Sequence, residues 1–70
     1  MTTTTVARVT EISAESDTSF EDAIRVGIKR AGETLHGIKS AWVKEQSVQV
    51  NDGHIASFRV DMLVTFLLDD

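Results

Sequence analysis

A chain of 70 residues with three phenylalanines, one tryptophan and no cysteine can build only one small hydrophobic core. The missing cysteines exclude disulfides and thiolate metal sites, so oligomerisation remains the usual source of stability for a domain below about 80 residues. Eleven acidic and seven basic residues give a net charge of -4, which disfavours nucleic acid because its phosphates are held by clustered Lys and Arg.

Neither a membrane segment nor a targeting signal is predicted. No apolar run approaches the ~20 residues that span a bilayer. Residues 1–5, one Met and four Thr, lack the basic and apolar regions of a signal peptide and are predicted to be a flexible lead-in. We therefore expect a cytoplasmic protein with one domain over residues 1–70.

The first half of the chain predicts a strand, a loop and a helix. Residues 6–13 suit a strand and residues 14–18 a loop. Thr18 with Glu21, or Ser19 with Asp22, fits a capping box. An apolar residue then recurs every three or four positions and lays one stripe along the helix: Phe20, Ile24, Ile28 (or Gly27), Ala31 and Leu35. His36 sits late enough to complement the helix dipole, and Gly37 fits a left-handed C′ position.

The second half predicts a β-hairpin. Two strand-like stretches, residues 38–50 and 54–68, flank the turn. Asp-Gly is a preferred pair for the two-residue type I′ turn, since both positions need positive φ. With Asp52 and Gly53 as the loop, Asn51 faces His54, and further along the hairpin Val43 faces Met62, Ala41 faces Val64 and Lys44 faces Asp61.

Side-chain alternation assigns the two faces of this hairpin, because paired residues share a face. One face is apolar and is predicted to pack on the helix, with Ala41, Val43, Phe58, Val60, Met62, Val64, Phe66 and Leu68. The other is mostly polar, with Ser40, Trp42, Lys44, Gln46, Arg59, Asp61, Leu63 and Thr65. The fold class is therefore α+β in the order β-α-β-β. One helix covers one face of a three-stranded antiparallel sheet, and the only tryptophan lies on the uncovered face.

The element order, the length and several local strings resemble the dodecins. The likeness runs from Arg8 almost to the end, and it includes the Asp52-Gly53 hairpin. The strings are Arg8-Val9-Thr10-Glu11-Ile12, Ala23-Ile24, Arg30-Ala31, Thr34-Leu35, Phe58-x-Val60 and Val64-x-Phe66-x-Leu68. The resemblance implies a hollow homododecamer that binds and stores a flavin without catalysis.

The flavin site that the resemblance implies is altered here. Typical dodecins stack a tryptophan of the second strand on the isoalloxazine ring and bond its edge with a glutamine of the third strand. Those two positions hold Ser40 and Arg59. Trp42 follows two residues later on the same face, about 7 Å along the strand, and an arginine can both donate to carbonyl oxygens and stack on a ring. The candidate cofactor residues are Trp42, Arg59, Ser40, Lys44 and Gln46, with riboflavin, FMN or FAD as the ligand.

Trp42 and Arg59 each have two possible roles, and the protein has a second possible function. Trp42 either stacks on a planar ligand or fills a subunit contact. Arg59 either meets the ligand or pairs with Asp61 or Glu45. A second function hypothesis is a flavin-free shell that binds Ca²⁺ or serves as a structural scaffold. In that hypothesis the oxygen donors are Glu11, Glu45 and Asp61, brought together by symmetry.

No enzyme is predicted from the residues. The two histidines, His36 and His54, lie at opposite ends of the second strand, so they cannot share one acid–base site. Both are interpreted as structural residues, at the helix end and at the turn.

Overall fold

Four elements make up the part of the chain that the computed structural model describes, residues 6–68. They are β1 (Ala7–Ser16), α1 (Phe20–Gly32), β2 (Ile38–Asn51) and β3 (His54–Leu67). Strand β3 is central and pairs antiparallel with both others, in the order β1-β3-β2. Because α1 packs on one face of this sheet, the predicted β-α-β-β architecture is confirmed. The predicted lead-in, residues 1–5, lies outside the described residues.

Two serines organise the junction between β1 and α1. Strand β1 runs through residues 14–16, which were predicted to be a loop, because its alternation of outward polar and inward small residues continues to Ser16. The buried Ser16 hydroxyl donates to Asp22 Oδ2 at 2.6 Å and accepts from the Thr18 backbone N–H at 2.9 Å. Ser19 is the N-cap, since its side chain accepts from the Asp22 N–H at 2.9 Å.

The end of α1 comes earlier than the apolar stripe predicted. The helix stops at Gly32, a poor helix former, and the backbone N–H groups of Thr34 and Leu35 both bond to the Ala31 carbonyl in a closing turn. His36 therefore does not lie at the helix end, and the interpretation as a helix-end cation is wrong. Gly37 does take a positive φ of 74°, but in the bend before β2 rather than at C′.

Small residues bring α1 close to the sheet. Its buried positions are Ala23, Gly27 and Ala31, of which Gly27 and Ala31 belong to the predicted stripe. The larger side chains of that stripe, Phe20, Ile24 and Ile28, are partly buried against the core. A Cβ on Gly27 would lie 2.8 Å from Met62 Cε and 3.0 Å from Ala14 Cβ, closer than van der Waals contact. The core beneath is formed by β3, whose fully buried side chains are Val60, Met62 and Val64.

The β2–β3 hairpin closes as predicted and then departs from a regular ladder. Asp52 and Gly53 have φ of 51° and 76°, as a type I′ turn requires. One extra residue, Ala56, enters β3 just after the turn, and one extra residue, Lys44, enters β2 further along. These two β-bulges lie on opposite strands, so the second restores the register that the first had shifted.

Between the bulges the faces of β2 differ from the prediction. Glu45, not Lys44, lies opposite Asp61. Gln46 pairs with the buried Val60 and so shares the helix side of the sheet, where it was not expected. Beyond the second bulge the pairs of Val43 with Met62 and of Ala41 with Val64 are confirmed. A third bulge adds Lys39 to β2 near its start.

Candidate functional site on the open sheet face

The sheet face opposite α1 is covered by no other element of residues 6–68, and we call it the open face. Four rows of paired residues cross it from β1 through β3 to β2. The rows are Val9–Thr65–Ser40, Glu11–Leu63–Trp42, Ser13–Asp61–Glu45 and Glu15–Arg59–Ser47. The first two rows are largely uncharged and the last two largely charged, so the face has a neutral half and a charged half.

Trp42 lies in the second row of the open face and is 65% exposed. Its neighbour across the ladder is Leu63, as predicted, and Ser40 is the preceding residue on the same face of β2. An indole beside a leucine forms a flat apolar surface with one polar N–H at its edge. This surface can stack on a planar ligand or pack against another subunit, because either partner would remove it from water.

Arg59 is tied to its neighbours on the charged half. Its Nε donates to Ser13 Oγ at 2.9 Å and lies 3.5 Å from Asp61 Oδ1. The ion pair with Asp61, one of the two interpretations of this arginine, is therefore present. Both contacts involve Nε, and a guanidinium carries four further N–H donors on its terminal nitrogens.

Lys44 lies on the open face as predicted, because side chains alternate along β2 from Ser40 through Trp42. Its Nζ lies 3.6 Å from Glu11 Oε2 on β1, so its side chain crosses the central strand. Both side chains are about half exposed, and a pair of this kind contributes at most about 1 kcal/mol to stability. The ion pair places the Lys44 ammonium group beside the row that contains Glu11, Leu63 and Trp42.

Four carboxylates and two cations occupy the open face. The acids are Glu11, Glu15, Glu45 and Asp61, and the cations are Lys44 and Arg59. Among residues 6–68, no three carboxylate or histidine side chains of one subunit are grouped closely enough to hold a metal ion. A calcium site built from Glu11, Glu45 and Asp61 would therefore need residues from more than one subunit.

The structure adds Ser13, Glu15 and Ser47 to the candidate face and removes one residue. Glu15 was missed because β1 was predicted to end at Ser13, although the alternation of polar and apolar residues after Glu11 signals a longer strand. Ser13 was missed because the two faces of β1 were not assigned from the sequence. Gln46 leaves the candidate set for the open face, because the bulge at Lys44 turns it to the helix side.

Comparison with known families identifies this arrangement. The family model described as Dodecin matches residues 6–69. The chain belongs to the Dodecin family. Solved dodecin structures agree with the fold over nearly the whole chain, whereas no curated protein shows a significant match.

Three of the similar structures bear on the site. A dodecin from Streptomyces davaonensis is 43% identical, with a TM-score of 0.92 over 97% of this chain and 100% of that chain. A dodecin from Streptomyces coelicolor is 28% identical, with a TM-score of 0.91 and 99% of each chain covered. A calcium-chelating immunodominant antigen from Mycobacterium tuberculosis, described as a calcium dodecin with a novel calcium-binding site, is 32% identical, with a TM-score of 0.79 over 91% of each chain.

Family membership supports the binding of a small ligand by this fold. In residues 6–68 there is no helix with the length and apolar character needed to cross a membrane.

Proposed function

We propose that the open face binds a planar aromatic ligand, a flavin, and that the protein stores this ligand inside a homododecameric shell without catalysing a reaction. The observation that carries the proposal is the single tryptophan, 65% exposed on a sheet face that no other element of residues 6–68 covers. A tryptophan left this exposed in one subunit gains apolar contact only from a ligand or a neighbour.

Each candidate side chain has a role in this proposal. Trp42 stacks on the ring system, and Leu63 extends the apolar floor beside it. The terminal nitrogens of Arg59 donate to carbonyl oxygens at the ring edge, while its Nε stays bonded to Ser13. Ser40 offers a hydroxyl on the neutral half, and Lys44 a cation between Trp42 and the charged half.

Self-assembly follows from the same uncovered face. A two-layer chain of 70 residues with no disulfide has a marginal core, and only five hydrophobic residues of the described part are buried. Membership of the Dodecin family supports a closed shell in which the open faces line the interior. In such a shell every subunit presents its Trp42 to the same enclosed space.

The decisive experiment is a riboflavin titration followed by flavin fluorescence. We expect quenching that saturates near one ligand per subunit, and loss of quenching in Trp42→Leu. Gln46→Ala is the matched control, because Gln46 belongs to the same strand but lies on the other face. A colourless protein that leaves riboflavin fluorescence unchanged would refute flavin binding. Light scattering on the eluting peak should give a mass near twelve subunits, and a stable monomer of 7.7 kDa would contradict the shell.

A second candidate is a flavin-free shell that binds Ca²⁺ or acts as a scaffold. It is favoured by the four carboxylates of the open face and by the likeness to the calcium dodecin. Calcium binding to the folded state should raise the melting temperature, and EDTA should reverse the rise. Glu45→Gln should abolish this response. Glu33→Gln is the control, since Glu33 lies beside Arg30 after α1, away from the open face. If neither riboflavin nor Ca²⁺ has an effect, the structural scaffold is the function that is left.

A further inference from the structure

The β2–β3 hairpin is much longer than the helix that covers it. Each strand has 14 residues, which span about 46 Å at ~3.3 Å per residue. The 13 residues of α1 span about 20 Å at ~1.5 Å per residue. Pairing with β1 ends where Ser16 meets Phe58. Residues 48–57, which we call the hairpin arm, therefore project past α1 and largely past β1 as a two-stranded ribbon.

The arm carries an apolar surface on its helix side. Val48 pairs with Phe58 and shares the face of the core, and Val50 pairs with Ile55 beyond it. The exposed fractions of these three aliphatic side chains are 37%, 63% and 57% for Val48, Val50 and Ile55. Phe58 itself meets Phe20 at the start of α1, with ring centroids 5.1 Å apart. The apolar surface is thus an uncovered continuation of the core, on a ribbon that is marginally stable alone in water.

A groove elsewhere on the same subunit is also partly apolar. It lies between α1 and the edge strand β1 and has a volume of about 400 Å³. Five of its nine lining residues are small or apolar: Ile12, Ala14, Val26, Gly27 and Ala31. The other four are polar or charged: Ser13, Glu15, Arg30 and Thr34. The depth of the groove comes from the small side chains of Ala14, Gly27 and Ala31.

We infer that the hairpin arm of one subunit docks its three aliphatic side chains in the α1–β1 groove of a second copy of this chain. The inference rests on the proposed self-assembly and specifies where subunits meet. The arm and the groove are different patches of one molecule, so each copy can donate an arm and accept one. Such head-to-tail contacts propagate around a ring and close when the rotation allows it.

The absence of charge on the arm argues against an ionic partner. The apolar face of the arm contains no ionisable side chain, so it offers nothing to a phosphate or a charged peptide. Each copy carries a net charge of -4, so charge opposes the contact between copies and apolar burial drives it. Added salt should therefore leave the assembly intact or strengthen it.

Disulfide trapping tests the contact directly, because the chain has no cysteine of its own. Ile55→Cys and Val26→Cys subunits are co-expressed and mildly oxidised. We expect a product of about twice the 7.7 kDa subunit mass that contains one chain of each kind. Val6→Cys replaces Val26→Cys in the control, since Val6 is also exposed but lies outside the groove. A link between two Ile55→Cys chains only, or no link at all, would overturn the docking.

A second measurement uses the charge variant Val50→Asp, with Val6→Asp as its control. Val50 lies outside the core cluster, so the subunit should keep its circular dichroism spectrum. We expect the concentration at which the assembly dissociates to rise at least tenfold for Val50→Asp alone. A wild-type monomer would refute the proposed shell, whereas a Val50→Asp shell as stable as wild type would refute only the docking of the arm.

Discussion

Two glycines of the same helix should respond in opposite ways to the same substitution. Replacing Gly by Ala in a helix stabilises it by up to about 1 kcal/mol. At Gly27 the new methyl group would meet Met62 Cε at 2.8 Å and Ala14 Cβ at 3.0 Å. The end of the methionine side chain can rotate away, but Ala14 moves only with the backbone of β1.

The net effect follows from these opposing terms. Overpacking of a well-filled core costs typically about 1–3 kcal/mol, which exceeds the gain in helix propensity. We expect Gly27→Ala to be less stable than wild type by about 1 kcal/mol, or roughly 4–8 °C in melting temperature. At Gly32 an added Cβ meets no atom within 4 Å, so Gly32→Ala should be as stable as wild type or more stable.

Thermal unfolding by circular dichroism measures this difference. All three proteins are compared at one subunit concentration, because association contributes to the melting temperature. Helix propensity alone would raise the stability of both variants. If Gly27→Ala melts as high as Gly32→Ala, the close approach of α1 to Ala14 is not a constraint on this fold.

Three further predictions follow from single features. Ser16→Ala removes the buried hydroxyl that joins the Thr18 N–H to the Asp22 carboxylate, so urea unfolding should show a loss of about 1–3 kcal/mol. A loss below about 0.5 kcal/mol would contradict this role. Gly53→Ala places a Cβ at a positive φ and should destabilise the hairpin by about 1 kcal/mol in the same assay, whereas Asp52→Asn should be neutral because Asn tolerates that conformation. Riboflavin should bind more tightly than FMN at low salt, because the open face has four carboxylates and only two cations, which already lie in ion pairs. The difference in affinity should become smaller as salt screens the phosphate of FMN. Equal affinities in quenching titrations at low salt would contradict a net negative open face.

The hairpin shows how far a pattern of residues predicts pairing. The turn at Asp52-Gly53 requires positive φ at two positions, and this requirement identifies the pairs next to it. The pair of Trp42 with Leu63 was also predicted correctly, although two bulges lie between it and the turn. The prediction succeeded there because one bulge adds a residue to each strand, and the two shifts cancel.

Gln46 shows why the region between the bulges could not be predicted. A bulge changes which residues face each other by one position, and side chains alternate with a period of two, so every residue up to the next bulge changes its face. Lys44 and Ala56 carry no glycine or proline signal that would mark an insertion. A bulge bends and twists its strand, so its position depends on how the sheet packs in the whole domain as well as on the local sequence.

The end of strand β1 was predicted wrongly for a different reason. Its last residues, Ala14 and Ser16, are small and have low strand propensity, so they resemble a loop when considered alone. In the fold Ala14 lies under Gly27, and Ser16 bonds to Asp22 at the start of the helix. Small side chains are required at both places by contacts that are distant in sequence.

The solitary tryptophan on the open face has a consequence for spectroscopy. The chain has one tryptophan and no tyrosine, so its ultraviolet emission excited above the phenylalanine band arises from Trp42 alone. Because that indole is 65% exposed in one subunit, a free subunit should emit at the red end of the tryptophan range. Burial by a neighbouring chain should shift this emission to the blue, whereas a stacked flavin should extinguish it. The wavelength and the intensity of one band would thus report subunit contact and ligand occupancy separately, without any label.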